Sequence, residues 1–169
     1  MSSKSHKLNE RGIMKVWIDD LNSTYALCMN SGKFKEKAID LELIRSLKTV
    51  AEKGLDFING ISKGIPKDST DWTFVFRDYY ESLRGLIEAF LLFDGIEADS
   101  HQCKNAYLCF KHAELELNWE FLETARLKRN AINYRGQLLK YDDWKQFRLN
   151  FELHISALKN AIGEKLKEE

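Results

Sequence analysis

Residues 113–136 carry the side chains of this chain best suited to chemistry, the arginines at positions 126, 129 and 135. At about 100° per residue, Phe121, Leu122, Ala125 and Ile132 project onto one helical face, with Leu115 and Trp119 at its edge. Arg129 projects near the centre of that face, Arg126 beside Trp119, and Asn133 over Leu115. A guanidinium in an apolar interface is costly unless it is paired, hydrogen-bonded or opening into a wet cleft. Two readings follow. The arginines grip a phosphate, whose oxygens the guanidinium fork matches bidentately. Alternatively they snorkel, or bond a carboxylate within the bundle.

His101, Cys103, Cys109 and His112 invite a metal. On one continuous helix, however, the two histidines lie about 16 Å apart along the axis, with Cys103 pointing away from them. Zinc holds its ligands within about 2.0–2.3 Å of one point, so neither a metal nor any other cofactor is expected. The four histidines, His6, His101, His112 and His154, are scattered, and no Walker loop, Gly-rich dinucleotide turn or His-Glu-x-x-His is present. His154 flanks the stripe of the last helix and reads as a satisfied bundle histidine rather than a proton carrier. The rings of Trp, Tyr and Phe fall on helix stripes, so core packing accounts for them before base stacking does.

The elements that must position these residues are all helical. Arg11 to about Asn30 repeats apolar residues at three- and four-residue steps, from Met14 and Trp17 to Tyr25 and Cys28. A second helix runs from about Lys35 to Ile61, its stripe passing through Leu43, Leu47, Val50, Leu55 and Ile58. A third begins in the capping run Ser69-Thr70-Asp71, and Asp94-Gly95 ends it. A short fourth runs from Asp99-Ser100 to about His112, and the helix over 113–136 follows, closed by Gly136. The last is capped by Asp142 or Asp143. No segment alternates long enough to read as a strand. The expectation is an all-α, antiparallel up-and-down bundle of about five to six helices, residues 35–169, with residues 1–34 as an N-terminal helix or arm packed on it.

Composition bounds the function. With 26 basic and 26 acidic residues in 169, the formal charge is zero, so neither a DNA footprint nor a broad grip on anionic membrane is expected. A local basic cluster at Arg126, Lys128, Arg129 and Arg135 remains. The strongest apolar run, residues 89–93, is too short to span a bilayer. The first residues lack the apolar core of a signal peptide. Three cysteines form no even disulfide set, which suits a reducing compartment; the expected location is the cytoplasm.

A long helix bearing Asp78-Tyr79-Tyr80, then Asp94-Gly95-Ile96-Glu97 and His101, and a later helix ending Arg129-Asn130-Ala131-Ile132-Asn133-Tyr134-Arg135-Gly136, together resemble the HEPN superfamily. These are small helical bundles of prokaryotic toxin–antitoxin and defence systems. The resemblance covers roughly residues 36–165. It implies a homodimeric bundle, in many relatives a metal-independent ribonuclease with an Arg, four to six residues and a His. Arg129-Asn130 fits the first half; the window beyond holds Asn133, Tyr134 and Arg135 and no histidine. Histidine serves such a reaction because it exchanges protons near neutral pH, and Tyr134 does so poorly. The resemblance thus implies an RNA- or nucleotide-binding protein with weak or no cleavage, paired with itself and with a small nucleotidyltransferase or an antitoxin. Arg129, Asn130 and Tyr134 stand at the catalytic positions, and Arg126, Asn133 and Arg135 hold RNA phosphate. The alternatives are a ribonuclease using His101 or His154 of either subunit, and a non-catalytic interaction module.

Overall fold

The computed structural model describes residues 18–168, so the expectations placed on Met14 and Trp17 lie outside it. Six helices make up most of the chain: α1 (Leu21–Asn30), α2 (Leu41–Ser62), α3 (Trp72–Phe93), α4 (His101–Lys111), α5 (Trp119–Arg135) and α6 (Tyr141–Glu168). The architecture is the expected all-α bundle.

Its axis is α3. This helix is apolar over most of its circumference, and Phe76, Leu83, Leu86, Ala89, Phe90 and Leu91 are essentially closed to water. A helix hydrophobic nearly all round must be surrounded. Accordingly α2 and α6 pack along one side of it, α4 and α5 along the other, and α1 lies on α4. Phe76, Phe147, Phe151 and Phe121 interlock edge to face at the α3–α6–α5 junction.

Several boundaries depart from the sequence reading, each for a local reason. The first helix starts at Leu21, because the Asp20 carboxylate accepts from the Ser23 N–H and caps it there. Residues 18–20 are therefore not helical. Trp119 Nε1 donates to the Asp19 carbonyl and ties this entry to the start of α5. The stretch from Ala113 is not one helix: residues 113–115 form a 3-10 turn, and Glu116 sits left-handed at φ 52°. Asn118 restarts the chain, its side chain accepting from the Phe121 N–H. Asp71 makes no cap bond, and Ser69 Oγ accepts the Asp71 N–H instead. Asp142 and Asp143 fall inside the first turn of α6; Asp143 accepts from the Lys140 N–H ahead of it.

The expectation of no strands is also overturned. Phe34–Glu36 (β1) and Ile96–Ala98 (β2) pair antiparallel, Phe34 opposite Ala98 and Glu36 opposite Ile96. Three-residue strands show no readable alternation. What makes the ladder possible is Gly95 at φ +64°: a Cβ there would stand 3.0 Å from the Lys37 carbonyl. The Lys37 N–H in turn donates to the Gly95 carbonyl.

The cysteine reading is corrected as well. Cys28 and Cys103 form a disulfide, Cα to Cα 5.8 Å, that clasps α1 to α4. Only Cys109 is free. Tyr25 stacks on Phe110 beside the clasp, ring centres 4.0 Å apart.

Candidate functional site

Two carboxylates on α3 and α5 organise the polar seam between α3, α4 and α5. Glu123 is 2% exposed and sits among the apolar residues of α5. Burying it is tolerable because four N–H donors converge on it. Arg126 Nε and Nη2 reach it at 2.7–3.1 Å, Asn105 Nδ2 at 3.1 Å and Gln102 Nε2 at 3.1 Å. Arg126 is thus the fork of a buried ion pair within the protein.

Glu81 is arranged differently. Arg129 donates to its Oε1 from Nε and Nη2, at 3.1 and 2.9 Å, while Arg84 Nε donates to Oε2 at 2.7 Å. One half-exposed carboxylate therefore serves two guanidiniums. Burial pushes the Glu81 carboxyl up, but the two arginines outweigh it and hold it below the ordinary glutamate range. Burial likewise opposes the charge on Arg129, and Glu81, with help from Tyr80 and the Tyr134 hydroxyl, more than restores it. The Arg129 guanidinium also lies 5.8 Å from the centre of the Tyr80 ring.

Tyr80 connects this cluster to His101. Burial raises the Tyr80 phenol well above its usual range, so the phenol keeps its proton, and its hydroxyl is hydrogen-bonded to His101 Nδ1 at 3.0 Å. Burial first, then the charges of Arg84, Arg129 and Lys104, lower the pKa of His101 to about 4. At neutral pH it is uncharged. The cavity beside it, lined by Tyr80, Arg84, Lys104 and Asn105, measures about 10 Å³, room for no more than a water.

The remaining site residues spread along the end of α5. Asn130 is half-buried; Asn133, Tyr134 and Arg135 are exposed, Tyr134 to 77%. Gly136 in the left-handed conformation ends the helix by donating to Ile132, as Gln137 does to Ala131. The expected set is therefore split: Arg126 points into the bundle, Arg129 lies at its edge, and Asn133, Tyr134 and Arg135 lie on the surface beyond.

The other chemical candidates are committed elsewhere. His154 Nδ1–H donates to the Asn150 carbonyl at 2.6 Å, and Nε2 accepts the Asn118 N–H at 2.8 Å. Both ring nitrogens are spent on structure. His112 bonds Asp94 and Glu114, and burial first of all pushes the Cys109 thiol up to about 12, where it is inert. Asp78-Tyr79-Tyr80 does not act as a unit: Tyr79 donates to Asn59 Oδ1 at 2.6 Å while Tyr80 turns to His101.

The i, i+3 spacing of Glu81 and Arg84 marks them as an ion pair, which the structure forms, but sequence reasoning missed Glu123 as the partner of Arg126 and Glu81 as that of Arg129. Glu123–Arg126 at i, i+3 was legible as a helix pair. Glu81–Arg129, 48 residues apart, carried no local signal. A groove of about 660 Å³ also opens between α2, α3 and α6, floored by Trp72, Tyr79, Tyr141 and Trp144. It is far the larger space, yet its rim charges pair with one another, Arg148 with Glu152 and Lys159 with Glu52. The arginine cluster, with cations in excess, remains the candidate. Comparison with family models, with curated proteins and with solved structures gave no match to the chain.

Proposed function

We propose that the face formed by Arg84, Arg129 and the end of α5 binds the phosphate of an RNA or nucleotide without efficiently cleaving it. The observation that carries this reading is the shared carboxylate. Arg84 also reaches Glu88 at 3.9 Å, and Lys104 shares that carboxylate at 3.2 Å, so three cations meet two carboxylates and one positive charge is left over, to which Arg135 adds a second nearby in sequence. A phosphate oxygen can take the donors that Glu81 does not, while Asn130, Asn133 and Tyr134 orient the sugar and base. The reading follows the HEPN resemblance: a homodimer of toxin–antitoxin or defence type, working with a nucleotidyltransferase or antitoxin.

Weak cleavage follows from His101. Held neutral with a pKa of about 4, it is a weak base, and its Nδ1 is tied to the Tyr80 hydroxyl. The rival interaction-module reading draws on Arg126, whose charge is spent on Glu123. A titration with short single-stranded RNA separates them. Arg129→Ala and Arg84→Ala should each weaken binding about ten-fold or more, by loss of one charge-assisted contact worth roughly 1.5–3 kcal/mol. Glu81→Gln should tighten it. Unchanged affinity across all three variants would leave a purely structural cluster.

A further inference from the structure

α4 does different work on its two sides. Cys103, Tyr107 and Phe110 carry α1 and β1: Cys103 is joined to Cys28, Tyr107 meets the Phe34 ring edge to face, and Phe110 stacks on Tyr25. The other side holds the polar cluster. His101 is bonded to Tyr80 at 3.0 Å, Gln102 and Asn105 each donate to Glu123 at 3.1 Å, and Lys104 donates to Glu88 at 3.2 Å. Cys103 thus stands between two residues, Gln102 and Lys104, that reach into the cluster. It also lies in the first turn of α4, where its N–H donates to the capping Ser100 Oγ. A helix of 11 residues has little stability of its own, so its position depends on what packs on each side. The α1 side leans on the sulfur bridge. Of the ten residues of α1 only Thr24, Tyr25 and Cys28 are buried, while Leu27 and Met29 are 67% and 52% exposed. An element that buries so little opens readily once a tether is cut.

Lys104 links that opening to charge. Arg84, Arg129 and Lys104 meet the two carboxylates of Glu81 and Glu88, so the surplus positive charge depends on Lys104 staying in place. When the first turn of α4 loosens, Lys104 leaves Glu88, Arg84 takes that carboxylate, and Arg129 keeps Glu81. Two cations then face two carboxylates, and the surplus is gone. We propose that the Cys28–Cys103 pair is a redox switch: bridged, it holds α4 and the cation surplus in place, and as two thiols it releases both. The step is thiol–disulfide exchange with a dithiol. One thiolate of the reductant attacks a bridge sulfur, and the other cysteine leaves with the electron pair and takes up a proton. The second thiol of the reductant then displaces the first cysteine and closes its own disulfide, so two electrons and two protons pass to the protein. The proposal rests on the phosphate reading above for its ligand, and on the structure of α4 for the switch itself.

Hydrogen exchange of the full chain, bridged and after dithiothreitol, reads the structural step without RNA. Reduction should speed exchange in α1 and also at residues 101–105. In a titration with a short single-stranded RNA, affinity should fall about five-fold or more on reduction. Cys28→Ser should match the reduced chain with or without reductant, and Cys109→Ser should switch as the unaltered chain does. Coupling is reciprocal, so bound RNA should make the bridge harder to reduce by the same factor. Faster exchange confined to α1 would overturn the proposal and leave the bridge a staple. So would two forms that bind RNA equally well. If neither form binds RNA while residues 101–105 still loosen, the phosphate reading falls and the switch stands.

Discussion

Arg126 and Arg129 are three residues apart on one helix, yet truncating them should have different consequences. Arg126→Ala removes the guanidinium from Glu123, a carboxylate with almost no access to water. Asn105 and Gln102 remain, but neutral amides do not neutralise a buried charge. A loss of roughly 3–5 kcal/mol is expected, read as a sharp fall in melting temperature. Arg129→Ala leaves Glu81 still bonded to Arg84 and partly in water, so the loss should stay near 1 kcal/mol. Equal destabilisation by the two variants would mean that Glu81 is no less dependent on its partner than Glu123. His101 supplies a pH dependence at the same scale. Its pKa is depressed from 6.5 to about 4, so the folded state takes up its proton less readily than the unfolded chain. The stability this confers is complete above pH 6.5 and is lost as pH falls toward 4. His154, lowered by burial, acts in the same direction. Because His101 is partly accessible to solvent, its share should be no more than about 2 kcal/mol. His101→Gln should flatten the stability curve between pH 6.5 and 4; an unchanged slope would show that other groups set it.

Among the elements, the helices were legible and the joints were not. Periodicity finds α2, α3 and α6 because each presents a long apolar stripe, and that signal sums over many turns. It fails at 113–118, where a single left-handed Glu116 interrupts a pattern whose average still looks helical. It fails again at β1 and β2, whose central pair, Lys35 and Glu97, lies 62 positions apart. The clasp between Cys28 and Cys103 was invisible for the same reason: counting cysteines gives parity, and only the packing of α1 on α4 gives proximity. The clasp closes a long loop. In the chain-entropy model that constraint is worth about 4 kcal/mol at most, less whatever the reduced chain retains. Reduction should therefore lower the denaturant midpoint, and α1, held otherwise by Thr24, Tyr25 and Phe110, should open first. Limited proteolysis would show it as a new cut between residues 30 and 41 on adding reductant. A digestion pattern indifferent to reductant would mean that side-chain packing alone secures α1.

At the scale of the whole molecule, the fold class followed from the sequence while the site did not, because a bundle is an average over stripes and a site depends on which charges meet. Part of the balance of 26 basic against 26 acidic residues is spent in pairs among the described residues. Lys35 binds Asp99, Lys37 binds Glu97, Lys48 and Lys159 share Glu52, and Arg148 binds Glu152. On the reading proposed above, the grip on RNA is confined to the cations at Glu81 and the end of α5. Counterion release turns this into a measurable quantity, since the logarithm of affinity falls against the logarithm of salt by about 0.7 for each phosphate neutralised on a single strand. Two or three phosphates at Arg84, Arg129 and Arg135 therefore imply a slope of roughly −1.5 to −2. Arg129→Ala should make it shallower by about 0.7, whereas Arg148→Ala, on the groove between α2 and α6, should leave it unchanged. A slope several times steeper would mean that the chain engages RNA over a broad face rather than at this cluster. No measurable slope would remove phosphate from the account of this site altogether.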